Sequence, residues 1–114
     1  MELHEFTAIV PGFANLSQPD QILHFAWYLH THREKGTFDQ AAIRSCYKER
    51  HMDEPNISKL FTRLLERRPK VLLSSGAGFQ LEHKIREQFE AKYGQHQTTI
   101  AVSKGVALML DKLA

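Results

Sequence analysis

Seven histidines, one cysteine, a small-residue loop and a cluster of arginines and lysines are the residues of this chain that could do chemistry. His24, His30 and His32 invite a metal reading. On one helix, positions i and i+2 point about 200° apart, so His30 and His32 cannot both face one ion. Cys46 and His51 lie five residues apart across a helix end, and no second cysteine accompanies them. A structural zinc site needs four converging ligands, so neither a metal nor a cofactor is expected. Cys46 falls among Ala42, Ile43 and Tyr47, which predicts a buried core thiol rather than a nucleophile.

Ser74-Ser75-Gly76-Ala77-Gly78 resembles a phosphate cradle only in composition. A P-loop requires a Lys-Ser/Thr pair leading into a helix. Here a strand-like run follows, so a hairpin turn is predicted. The carboxylate pairs Asp53-Glu54 and Glu87/Glu90 sit on polar positions and read as solvated. No enzyme activity is expected. Trp27 and Tyr28 could stack on bases, but their neighbours are apolar rather than basic, which predicts core packing.

The basic residues are different. Fifteen Lys and Arg against thirteen Asp and Glu leave only +2 overall. From Arg33 to Lys70, however, ten basic residues face six acidic ones, and the remainder of the chain is net −2. A basic centre between faintly acidic ends is compatible with a polyanionic partner.

Elements must position those charges. A chain of 114 residues suits one domain. One cysteine excludes an intrachain disulfide framework and fits a reducing compartment. The opening Met1-Glu2-Leu3-His4-Glu5 lacks the features of a signal peptide. No stretch approaches the ~20 apolar residues of a membrane span. A cytoplasmic domain without membrane contact is expected.

Residues 1–19 read as an N-terminal segment, punctuated by Pro11-Gly12 and Pro19, with one short strand at Phe6–Val10. A first helix is predicted from Asp20 to Glu34, with Ser17 and Asp20 in capping-box spacing. Ile22 to Leu29 is apolar nearly all round, as in a central core helix. Gly36 should stop it in the left-handed conformation. Thr37-Phe38 reads as extended, and Asp39 caps a second helix to Arg50; Thr37 and Gln40 offer a rival cap. Pro55 fits the first turn of a third helix ending before Pro69. There Ile57, Leu60, Phe61, Leu64 and Leu65 form the clearest amphipathic stripe in the chain. Val71–Ser75 and Phe79–Leu81 predict a β-hairpin. A fourth helix should cover Glu82–Tyr93, facing Ile85, Phe89 and Ala91 or Tyr93 inward. A β-prone run at Thr98–Val102 and a last helix, Ser103–Leu113, complete a C-terminal extension over 95–114. The fold class is therefore α+β, mostly helical, with about five helices and a small hairpin.

Helix, short extended piece, helix, turn, helix and hairpin is the order of the winged helix-turn-helix class, which residues 20–94 resemble in pattern. Thr37-Phe38-Asp39 stand as first strand and cap, Asp39–Arg50 as scaffold helix, Pro55–Arg68 as recognition helix and Val71–Leu81 as wing. Pro55-Asn56-Ile57-Ser58 followed by Gly78-Phe79-Gln80-Leu81-Glu82 is similar to domains that open longer bacterial proteins of mobile-element or defence type.

The resemblance implies binding of double-stranded DNA through the third helix. Asn56 and Lys59 are types that read base edges, Arg63 and Arg67 would reach phosphates, Ser58 would give a phosphate hydrogen bond together with the helix N-terminus, and Thr62 shares their face. Arg44, Lys48, Arg68 and Lys70 would flank them as phosphate contacts. Against this, the hairpin tip carries no cation, and Asp53 and Glu54 precede the third helix. Winged helices also serve as protein-interaction adaptors, and that alternative predicts an exposed apolar patch near the hairpin or at Leu108–Leu113. The last helix would pack on the domain, on a twin in a homodimer, or continue into a longer protein.

Overall fold

A computed structural model describes residues 1–94 of the chain. The strand at Thr98–Val102, the helix at Ser103–Leu113 and the homodimer through it lie outside the described residues. Where a strand was expected at the N-terminus, the chain forms α1, Leu3–Ile9. Leu3, Phe6, Thr7 and Val10 are all buried. Their i, i+3, i+4, i+7 spacing is one helical face, and Phe6 lays that face on Trp27 and Tyr28, with ring centroids at 5.4 and 5.7 Å.

After a 3₁₀ turn at Phe13–Asn15, α2 runs Gln18–His32, two residues ahead of the expected start and finish. Ser17 accepts the Asp20 N–H at 3.3 Å, as the capping pattern predicts. Ile22, Phe25, Ala26 and Trp27 have no exposed surface. The helix is buried on several sides because α1, α3, α4 and the 83–94 segment pack around it. Its end corrects the expectation at Gly36. Glu34 takes the left-handed conformation, at φ 54°, and the Lys35 N–H returns to the Leu29 carbonyl.

The α3 helix, Gln40–Glu49, is capped by Asp39, whose Oδ1 accepts the Ala42 N–H at 2.8 Å. It buries Ile43, Cys46 and Tyr47. Buried polar groups beside it are paired. The Tyr47 hydroxyl donates to Gln21 Oε1 at 3.0 Å, and Gln21 Nε2 donates to the Phe13 carbonyl at 3.1 Å. The α4 helix covers Ile57–Glu66. Pro55 lies outside it, a second correction. Asn56 is the better cap because its side-chain oxygen satisfies the Lys59 N–H, which proline cannot do.

Strands β1, Leu72–Ser75, and β2, Gly78–Leu81, form an antiparallel hairpin in which Leu72 faces Leu81 and Ser75 faces Gly78. Gly76 holds the turn at φ 59°. Phe38 adds an isolated bridge to Phe79 through two backbone hydrogen bonds of 2.9 and 2.7 Å. That approach needs a glycine next door: a Cβ on Gly78 would sit 2.9 Å from the Phe38 oxygen.

The expected fourth helix is divided. The α5 helix covers His83–Phe89, and Glu90–Gly94 continues as a π-helical turn. Phe89 and Tyr93 face the core, whereas Ala91 is exposed. Trp27 stacks on Phe89 and donates Nε1–H to Glu90 at 3.2 Å. The architecture of the described residues is thus α+β and mostly helical, with five α-helices and one two-stranded hairpin. No helix among them is long and apolar enough to cross a membrane.

Candidate functional site

The α4 helix divides cleanly into two faces. Ile57, Leu60, Phe61 and Leu64 are buried under the hairpin and against α2 and α3. Phe61 meets Phe79 edge-on at 4.9 Å, so the hairpin fixes the rotation of α4 about its own axis. The opposite face presents Asn56, Ser58, Lys59, Thr62, Arg63, Glu66 and Arg67, every one exposed. Lys59, Arg63 and Arg67 follow at i, i+4 and i+8, a single ridge of cations. Among the described residues no ion pair engages these three, nor Lys48 or Lys70. The sequence-derived set is therefore brought together at its centre.

At its edges the set is spent on structure. Asn56 Oδ1 caps the helix through the Lys59 N–H at 3.1 Å. Ser58 donates its hydroxyl to Gln40 Oε1 at 3.0 Å, which ties the first turn of α4 to the first turn of α3. Thr62 donates to the Ser58 carbonyl at 3.0 Å. Arg68 folds back on the Leu65 and Arg67 carbonyls, at 3.3 and 2.9 Å, and so closes the end of the helix. Arg44 pairs with Glu54 at 3.0 Å. That contact cancels one of the two acids ahead of α4 and removes one expected phosphate contact. Lys48 on α3 and Lys70 before β1 are exposed.

Sequence reasoning missed Gln40 as a partner of Ser58. Its only signal was the N-terminal position of Gln40 on α3, opposite a helix that starts with a serine. It also missed His30, which is 6% exposed. His30 Nδ1 donates to the Lys35 carbonyl at 2.7 Å, and Nε2 accepts the Leu81 N–H at 3.2 Å. Both ring nitrogens are used by the neutral form, and burial pushes its pKa down. His24 and His32 are also pushed down, again chiefly by burial.

The remaining constellations behave as core. Trp27 and Tyr28 are buried. Burial pushes the Cys46 thiol up to about 12, so it stays protonated at neutral pH and is a poor nucleophile. Among the described residues no three His, Cys, Asp or Glu side chains converge as metal ligands. Comparison with known proteins adds no relative: no family model, no curated protein and no solved structure matches the chain.

Proposed function

We propose that this chain is a winged helix-turn-helix domain that binds double-stranded DNA with α4. The observation that carries the reading is the ridge of Lys59 and Arg63 on α4 and Arg67 at its C-cap, exposed and, among the described residues, free of ion pairs, on a helix whose other face is buried. A major groove about 12 Å wide admits one α-helix. The element order from α2 to β2 and the Phe38–Phe79 bridge support the winged-helix assignment, with Phe38 in the place of a first strand. In this reading the first turns of α4 enter the groove, with Lys59 toward the bases and Arg63, first expected at phosphates, beside it one turn on; the Ser58 and Thr62 hydroxyls, donated to Gln40 and to the Ser58 carbonyl, flank them. Asn56 directs its amide N–H groups to a phosphate. Arg67, Lys48 and Lys70 meet the backbone, with Arg44 and Arg68 at the margin. The Arg44–Glu54 pair answers part of the objection from the acids ahead of α4. The alternative, a protein-interaction adaptor, wants an exposed apolar patch. Among the described residues, which include the hairpin, Met1 is the one large hydrophobic side chain that is exposed, and Leu108–Leu113, the other place expected for such a patch, lies outside them.

The test is a fluorescence-anisotropy titration onto a mixed-sequence duplex at about 50 and 200 mM salt. Three phosphate contacts give a slope of log K against log salt near −3, hence roughly fortyfold weaker binding across that range. Arg67→Ala should flatten the slope by about one. Lys59→Ala and Arg63→Ala should weaken binding with unchanged thermal melting. No binding at low salt refutes the reading and favours the adaptor.

A further inference from the structure

The hydrogen bonds that build the head of α4 decide which bases it can read. Asparagine and glutamine recognise adenine by presenting an acceptor and a donor from one amide plane to N6 and N7. Two such amides lie at this surface, and both have committed their oxygens. Asn56 Oδ1 is turned inward to the Lys59 N–H, and Gln40 Oε1 is taken by Ser58. Each oxygen already accepts one donor from the fold, whereas neither NH₂ makes a hydrogen bond among the described residues. Beside them, Lys59 and Arg63 carry donors only. The bidentate contacts open to this face are therefore donor contacts. Guanine is the base that offers two adjacent acceptors, O6 and N7, in the major groove.

We infer that α4 reads guanine through Lys59 and Arg63, and that the domain prefers G·C-containing sites. This rests on the DNA-binding reading above. The two side chains are four residues apart, about 6 Å along the helix, close to two base steps of about 3.4 Å. They would address neighbouring or next-neighbouring base pairs. The carboxylate on the same line, Glu66, lies seven residues beyond Lys59, about 10 Å along the axis. That places it past the turns that enter the groove.

Three duplexes of equal length test this by anisotropy with the full chain at low salt. One has alternating G·C pairs and one alternating A·T pairs. The third is the G·C duplex with every guanine replaced by 7-deazaguanine, which lacks the N7 acceptor. The expected result is about tenfold tighter binding to G·C than to A·T, the lower part of the range for bidentate base contacts. Most of that gain should vanish on the 7-deaza duplex. Lys59→Ala and Arg63→Ala should each shrink the G·C to A·T ratio. Equal affinity for all three duplexes, with both variants still weakened, overturns guanine readout and leaves DNA binding standing. Tighter binding to A·T overturns it also. No binding to any duplex removes the DNA-binding reading and the inference together.

Discussion

His30 links stability to pH in a way that one substitution can isolate. Its imidazole joins the loop after α2 to β2, donating to Lys35 and accepting from Leu81. Leu81 is 2% exposed, so its N–H has no access to water. Protonation would place a second N–H against that donor. Burial, with the Arg86 charge as a smaller contribution and the Lys35 carbonyl opposing, holds the folded-state pKa below the ordinary 6.5. In the interval between the two values the unfolded chain binds the proton and the folded chain does not. Stability from this group is thus complete above pH 6.5 and is lost as pH falls from 6.5 through the folded value. The steepest loss is about 1.4 kcal/mol per pH unit for one group. Glutamine at position 30 can offer an oxygen to Leu81 and an N–H to Lys35 without titrating. His30→Gln should cost about 1 kcal/mol at pH 7. Its stability should then fall less steeply between pH 6.5 and 5 than that of the wild type. His30→Ala strands the Leu81 N–H and opens a cavity, at a cost of about 2–4 kcal/mol. Urea unfolding followed by circular dichroism at several pH values measures all three proteins. His24 and His32 leave a common slope in each, so the difference between curves belongs to His30. If His30→Gln loses stability with acid as steeply as the wild type, the depressed titration of His30 is refuted.

Two further outcomes follow from backbone geometry. Asn56→Ala removes the oxygen that satisfies the Lys59 N–H and should cost about 1 kcal/mol in urea melts, while Asn56→Asp keeps the cap and should cost little. Gly78→Ala drives a Cβ to 2.9 Å from the Phe38 oxygen and 3.2 Å from Thr37. It should destabilise by about 1–3 kcal/mol and speed exchange of the Phe38 and Phe79 amides in hydrogen-exchange NMR. Unchanged exchange would refute the close contact.

Local patterns in the sequence announced much of this fold. The α4 stripe from Ile57 to Leu64, the all-round apolar α2, and the caps at Ser17 and Asp39 each lie within one or two turns of chain, where spacing carries the information. The hairpin followed from a glycine-rich turn between apolar runs. The misreadings came from short or competing signals. The α1 helix spans seven residues, so its face makes a single i to i+7 repeat that includes the polar Thr7 and is cut short by Pro11-Gly12. Pro55 and Asn56 are both good helix starters, and a side-chain oxygen that satisfies an N–H outweighed a preset φ. Glu34 preceded Gly36 into the left-handed region because α2 ended sooner, at His32. For the candidate site, the exposure of Lys59, Arg63 and Arg67 was legible from the stripe opposite. The diversion of Arg44 to Glu54, of Ser58 to Gln40 and of Asn56 to its own helix was not. Two of these contacts depend on how α3, α4 and the turn between them meet in space, and the third on a cap position that spacing left open.

The contact of Trp27 with the 83–94 segment makes the chain its own reporter. Trp27 is the single indole of the sequence, it has no exposed surface, and its ring stacks on Phe89 while its N–H is held by Glu90. Its emission therefore records whether that last described segment is seated on α2. A shift to longer wavelength that precedes the loss of helical signal would reveal the segment lifting away while the rest stays folded, a sub-global opening readable without any label.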